Sequence, residues 1–319
     1  MIEDPTGQEA VTRTYLRISG LPDRDLDLPY IEIQGREAGP RLTVLAGVHG
    51  CEYVGMAALR EFVAEVNPAK LSGVITAVPV VNLPAYTSRT PFVVPADGKN
   101  LNRCFPGDPN GTYSDVLAHH VFERFIRGAD YLIDLHSGDV PETIEPLVVY
   151  DESPVSEASR QMAVAYGIQH VIKQPAAARV TAGTTSSSAA DVGVPAITAE
   201  SGGNGILDRQ AIATHVRGLR NVVATLGMLP YEVEQAPRQI EHDHGWNWIR
   251  TPVGGWWEPL VELGKRAEKG DVLGRVSDLF GDVIHEVKAP EAGILMLITT
   301  SPAVAADGLL TILTREVAE

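Results

Sequence analysis

Hydrophobic and polar positions alternate with a period of two over Thr12 to Ser19 and again over Leu28 to Gln34, which predicts extended edge strands ahead of Gly35. After Pro40 the pattern changes. Arg41 to Val48 is a short apolar run of strand type, and Gly50 to Val66 follows with helical spacing, ending near Asn67-Pro68. The pairing recurs, with strands over Val74 to Val81, Asp130 to Leu135, His170 to Lys173 and Val194 to Ala199. Helices are predicted over Ser114 to Arg127, Glu157 to Tyr166 and Leu207 to Leu226, the last closed by Gly227 and Pro230. Strands alternating with helices, without internal repeats, predict an α/β fold with helices on both faces of a central sheet. Ligands in such sheets gather at the carboxyl ends of the strands.

From about Leu229 to His244 the chain turns polar, which predicts a linker. Beyond it, glycines punctuate short β-type runs such as Gly293 to Thr299 and Leu309 to Leu313, the pattern of a small all-β domain. The expected division is therefore residues 1–235 for an α/β domain and 245–319 for a β domain.

Composition narrows the function classes. At 319 residues, with 44% hydrophobic and 21% charged positions, the chain has ordinary globular proportions. A net charge of -15 and a pI near 5.0, with no cluster of Lys and Arg, argue against a nucleic-acid partner. The start, Met1-Ile2-Glu3-Asp4-Pro5, is neither basic nor apolar, and no later run is long and apolar enough to span a membrane. A cytoplasmic protein with no membrane partner is expected, and monomer and homo-oligomer are both left open. Cys51 and Cys104 are too few for a disulfide framework, and neither has a base partner that would make it a nucleophile.

The predicted strand ends carry the chemistry. One delivers His49-Gly50-Cys51-Glu52 and another delivers His136. A His and a Glu three apart at a strand-to-helix turn can aim at one point, and a second His from a neighbouring strand completes the open three-ligand set of a catalytic zinc ion. Asp134, two residues before His136, falls on the same side of its strand and is suited to orient the ligand ring.

This set resembles the zinc carboxypeptidase clan, and within it the succinylglutamate desuccinylase and aspartoacylase family. The stretch Asn100-Leu101-Asn102-Arg103-Cys104-Phe105-Pro106-Gly107 carries the most specific match. The resemblance implies a mixed central sheet of the zinc carboxypeptidase type, with one zinc ion on His49, Glu52 and His136. It implies that Asn102 and Arg103 grip a substrate carboxylate, for which a planar guanidinium is well suited. Arg89 falls where the family keeps an arginine that polarises the scissile carbonyl. Glu200, before Ser201-Gly202-Gly203, falls where it keeps the catalytic glutamate. Asn100 stands where the family often has Asp, a departure that bears on charge balance.

The region after the linker is similar to the small β domain that the family carries and to the biotinyl and lipoyl carrier fold, a barrel-sandwich hybrid. Its expected hairpin tip, Asp278-Leu279-Phe280-Gly281-Asp282, contains no lysine for a prosthetic group.

The function so implied is zinc-dependent hydrolysis of the amide of an N-acylated amino acid or a similar small carboxylate-bearing amide. Two rivals share the residues. A metallocarboxypeptidase would use the same metal and base on peptides, and access decides between them. A cap over the site would admit only small acyl amino acids, and residues 245–319 are the candidate for that cap. A zinc-stabilised binding protein would keep the scaffold without needing Glu200.

Overall fold

The computed structural model describes residues 10–22, 25–176, 182–242 and 244–315. Of the expected extended start, residues 1–9 and 23–24 lie outside the described residues. The strands are β1 (Ala10–Ile18), β2 (Leu26–Gln34), β3 (Glu37–Ala46), β4 (Ser72–Val78), β5 (Tyr131–His136), β6 (Glu142–Asp151), β7 (His170–Gln174), β8 (Ala196–Gly203) and β9 (Ile240–His242). The helices are α1 (Tyr53–Glu65), α2 (Leu83–Ser88), α3 (Tyr113–Val121), α4 (Ser156–Ala165), α5 (Thr185–Asp191) and α6 (Arg209–Thr225). Eight further strands follow: β10 (Trp246–Arg250), β11 (Gly255–Pro259), β12 (Arg266–Ala267), β13 (Val272–Ser277), β14 (Val283–Lys288), β15 (Gly293–Thr299), β16 (Ala303–Val304) and β17 (Leu309–Thr314).

The fold is mixed α/β, as the sequence predicts. A 13-stranded sheet runs β1-β2-β4-β3-β5-β8-β6-β15-β17-β10, with β7 beside β6, β9 beside β7 and β12 beside β15. Its centre, β4-β3-β5-β8, is parallel. The pleat divides the apolar residues of these strands between two cores. Leu42, Val44, Ile133 and Leu135 face α1, α4 and α6, while Leu45, Val78 and Leu132 face α3 and Ala189 of α5. A second sheet, β14-β13-β11-β16, packs around the buried Trp257, whose indole N–H donates to the Thr299 carbonyl at 2.9 Å.

Several expectations need correction. Of the two strands expected at an edge, β1 lies at one and β2 does not, because β2 pairs with β4 as well as with β1. The helix predicted over Ser114 to Arg127 is α3 followed by a wider π turn at Phe122–Ile126. The predicted linker contains β9, which runs parallel to β7. The sheet also continues past the linker, since β15 pairs with β6 and carries β17 and β10 into the main sheet.

The Phe-Pro-Gly stretch folds tightly against α3. Gly107 has a φ of 88°, and a Cβ there would lie 2.1 Å from the backbone nitrogen of His119. Gly107→Ala combines left-handed strain with a backbone clash and is expected to cost about 2 kcal/mol or more, read as a lower urea midpoint. An unchanged midpoint would show that this turn is not held against α3.

Candidate active site

Three adjacent parallel strands bring the residues together. β3 runs into the turn that holds His49, β5 ends on His136, and β8 sets Glu200 directly beside His136 in register. Glu52 is the N-cap residue of α1, where the helix dipole favours a carboxylate. All four residues line one cavity of about 180 Å³.

Glu52 stands between the two imidazoles. His49 donates from Nδ1 to Glu52 Oε1 at 2.6 Å, and His136 donates from Nδ1 to Glu52 Oε2 at 2.8 Å. The far nitrogens are held as well, His49 Nε2 on Asn100 Oδ1 at 3.0 Å and His136 Nε2 on Asp134 Oδ2 at 3.0 Å. Asp134 also accepts from the Thr185 hydroxyl, and Asn100 Oδ1 accepts from the Asn102 backbone at 2.9 Å. Behind β5, Tyr166 donates to His215 Nδ1 at 2.8 Å while His215 Nε2–H donates to the His136 carbonyl at 3.0 Å. That pattern requires a neutral His215, and burial pushes its pKa down to about 4.

Electrostatics separates the carboxylates. Burial works against the ionised form of Glu52, but His49 and His136 outweigh it and lower its pKa to about 2. Glu200 moves the other way, to about 8, through burial and the charges of Glu52, Asp134 and Glu142, against the pull of His136. Its Oε2 is buried without a hydrogen-bond partner among the described residues.

The donor set suits a divalent metal. The candidate ligand atoms of His49, Glu52 and His136 lie within 4.8 Å of one another, all three residues are buried, and each imidazole is fixed from its outer nitrogen. The two Nδ1 protons directed at Glu52 mark lone pairs that a metal ion would take, so binding should release protons.

Asn102 and Arg103 also line the cavity. Asn102 is buried and accepts from the Thr185 backbone at 3.1 Å, whereas Arg103 is exposed along much of its length and donates to the Asn102 carbonyl at 2.6 Å. Arg89 is elsewhere. It ends α2 in a left-handed conformation, φ 55°, which aims it over α1, where it lines a separate depression with Tyr53 and Arg60. The residue of this loop that enters the cavity is Phe92, its ring 6.0 Å from that of His49.

The far wall was not foreseen. A register shift in β6 between Ile144 and Leu147 reverses the side-chain parity, so Glu142 and Ile144 before it and Val149 and Asp151 after it all line the cavity. Ile144, Leu297, Ile312 and Trp248 then stand opposite one another across β6, β15, β17 and β10. Trp246 lies two residues from Trp248 on the same face, and both indole N–H groups are buried without a partner among the described residues.

Residues 38–226 match the succinylglutamate desuccinylase/aspartoacylase catalytic domain. The chain is 28% identical over 277 residues to an N-alpha-acetyl-L-2,4-diaminobutyric acid deacetylase from Halomonas elongata, covering 83% of this chain and 79% of that protein. Among solved structures, the product-bound ectoine utilization protein EutE (DoeB) from Ruegeria pomeroyi superposes with a TM-score of 0.87 at 25% identity, over 97% of each chain. A succinylglutamate desuccinylase/aspartoacylase from Rhodobacter sphaeroides superposes with a TM-score of 0.84 at 22% identity, over 99% of each chain, a likeness of fold.

Two outcomes are expected from this geometry. Asn100→Ala frees the outer nitrogen of His49 and should weaken zinc binding roughly 10- to 100-fold in a competition titration; equal affinity would remove Asn100 from the support of the site. The second concerns Glu200, whose folded pKa lies above its ordinary value of 4.5. The stability it contributes is complete below that value and is lost as pH rises through about 8. In chelator-treated protein, Glu200→Gln should therefore melt higher than wild type in mildly alkaline buffer, with the advantage fading in mildly acidic buffer. A difference in melting temperature that does not change with pH would contradict the burial argument.

Proposed function

Because the chain belongs to the succinylglutamate desuccinylase/aspartoacylase family, we propose that it is a zinc-dependent deacylase that hydrolyses the amide of a small N-acylated amino acid. The observation that carries this reading is the buried group of His49, Glu52 and His136 with Glu200 beside it in one cavity. Zinc held by those three residues supplies a Lewis acid for the carbonyl oxygen and lowers the pKa of a water molecule.

Glu200 carries the proton. Its carboxylate takes one from the attacking water as the water oxygen bonds to the carbonyl carbon, and returns it to the nitrogen as the carbon–nitrogen bond breaks. A pKa raised by burial suits both halves of that transfer. Asn102 and Arg103 orient the substrate by its carboxylate. Arg89, which lines a different depression, takes no part in this reading.

Size and enclosure favour a small substrate over a peptide. The cavity's 180 Å³ is the volume of roughly six waters, the scale of an acylated amino acid. Trp246, Trp248, Leu297, Leu309 and Ile312 of β10, β15 and β17 line the cavity, which supports a cap that narrows access for a peptide. The diaminobutyric acid deacetylase of Halomonas elongata supports an acetyl-type acyl group. A non-catalytic binding protein has no use for a buried, proton-retaining Glu200.

The test is zinc content together with amine release from a panel of N-acetyl and N-succinyl amino acids. Wild type should carry about one zinc per chain and release amine, while Glu200→Ala should keep the metal and lose roughly a hundredfold to ten-thousandfold in kcat. A protein that binds no metal, or a Glu200→Ala variant as active as wild type, would sink the assignment.

A further inference from the structure

We propose that Glu142 determines substrate specificity, its carboxylate receiving an ammonium group carried by the side chain of the acylated amino acid. This rests on the deacylase reading and names the kind of amine that the site selects.

Glu142 begins β6 and lines the cavity together with Glu52 and Glu200. Its backbone is fixed from both sides. Its N–H donates to the Asp139 carbonyl at 2.9 Å, and its own carbonyl accepts from the Asn204 N–H at 2.7 Å. Gly203 packs so closely that a Cβ there would lie 2.3 Å from that carbonyl oxygen. The side chain thus enters the cavity from a fixed backbone, and its carboxylate has the Asp139 backbone N–H as a hydrogen-bond partner but, among the described residues, no ion pair to a Lys or Arg.

The other acids of the cavity have work or partners. Glu52 is bonded by both histidines, Glu200 carries the proton, and Asp151 accepts from Ser186 at 3.4 Å. Among the described residues, the only Lys or Arg lining the cavity is Arg103, which the substrate carboxylate claims. A largely buried carboxylate without a Lys or Arg partner is costly, and burial first, then Glu52 and Asp139, push the pKa of Glu142 up to about 7 against the pull of His49 and the Asp139 N–H. A cationic group entering beside it removes that cost. Trp246, Trp248 and Phe92 give the same cavity aromatic surface, which tolerates an alkylammonium group. A substrate with one carboxylate for Arg103, one ammonium for Glu142 and an uncharged acyl group balances the site. A succinyl group would bring a further negative charge toward Glu142 and Glu200.

The experiment compares kcat/KM for Nα-acetyl-2,4-diaminobutyrate with that for its uncharged isostere, N-acetylnorvaline, and for N-acetylglutamate, in the zinc-loaded wild type and in Glu142→Gln. Wild type is expected to prefer the cationic compound over the isostere by about a hundredfold or more, and Glu142→Gln to reduce that ratio by about tenfold or more. Zinc content, measured alongside, separates a damaged metal site from lost recognition. A wild-type ratio near one, or a ratio unchanged in Glu142→Gln, overturns the assignment of Glu142 and leaves the deacylase reading standing. Should the wild-type ratio hold but Glu142→Gln fail to fold, Glu142→Ala serves in its place, and a ratio unchanged there overturns the assignment equally. Absence of amine release in zinc-loaded wild type from all three compounds and from the wider N-acetyl and N-succinyl panel defeats the deacylase reading instead.

Discussion

The carboxylate of Glu52 accepts from the Nδ1 atoms of both His49 and His136, and the architecture around it serves to hold that arrangement. Two imidazoles and a carboxylate out of water are unfavourable singly. They persist because each nitrogen and oxygen has a partner, and because those partners come from rigid elements. Glu52 caps a helix, His136 ends a central strand, and Asn100 and Asp134 close the outer nitrogens. The same bonds that make the group stable without an ion turn its lone pairs toward one point, so the site is preorganised for a metal by interactions that are already satisfied.

The opposite wall solves a different problem. An open α/β sheet exposes the carboxyl ends of its strands to solvent, which suits binding but not the exclusion of water. Here the sheet continues: β6 lies antiparallel to β8, and β15, β17 and β10 extend it, bringing Leu297, Ile312 and Trp248 into one row with Ile144. The bulge in β6 is the hinge of this construction. Without the parity change between Ile144 and Leu147, either Glu142 or Asp151 would point away from the cavity.

What the sequence disclosed follows from which interactions are local. Buried parallel strands read as apolar runs, so the ends of β3, β5 and β8, and with them His49, His136 and Glu200, could be located. Asp134 was legible from alternation alone. β6 was not, because Glu145 and Pro146 interrupt it, and proline inside a run argues against a central strand. The tryptophan wall depends on pairing between β15 and β6, residues roughly 150 positions apart, which no periodicity reports. Arg89 illustrates a further limit. Its position next to a recognised motif is a matter of sequence, but its direction is set by one left-handed residue at the end of α2.

The cavity thus separates its carboxylates by environment rather than by residue type. Glu52, between two imidazoles, is held ionised with a pKa of about 2, while Glu200 on β8, with no partner on Oε2 among the described residues, is pushed to about 8. Two glutamates of one cavity are thereby suited to the opposite tasks that the proposed mechanism gives them, one to stay ionised and the other to exchange a proton. That division constrains everything else in the cavity. A further fixed negative charge would raise Glu200 beyond use as a base, and a further fixed positive charge would lower it until it no longer returned the proton. Glu142, also raised and without an ion pair to a Lys or Arg among the described residues, is compatible with both limits.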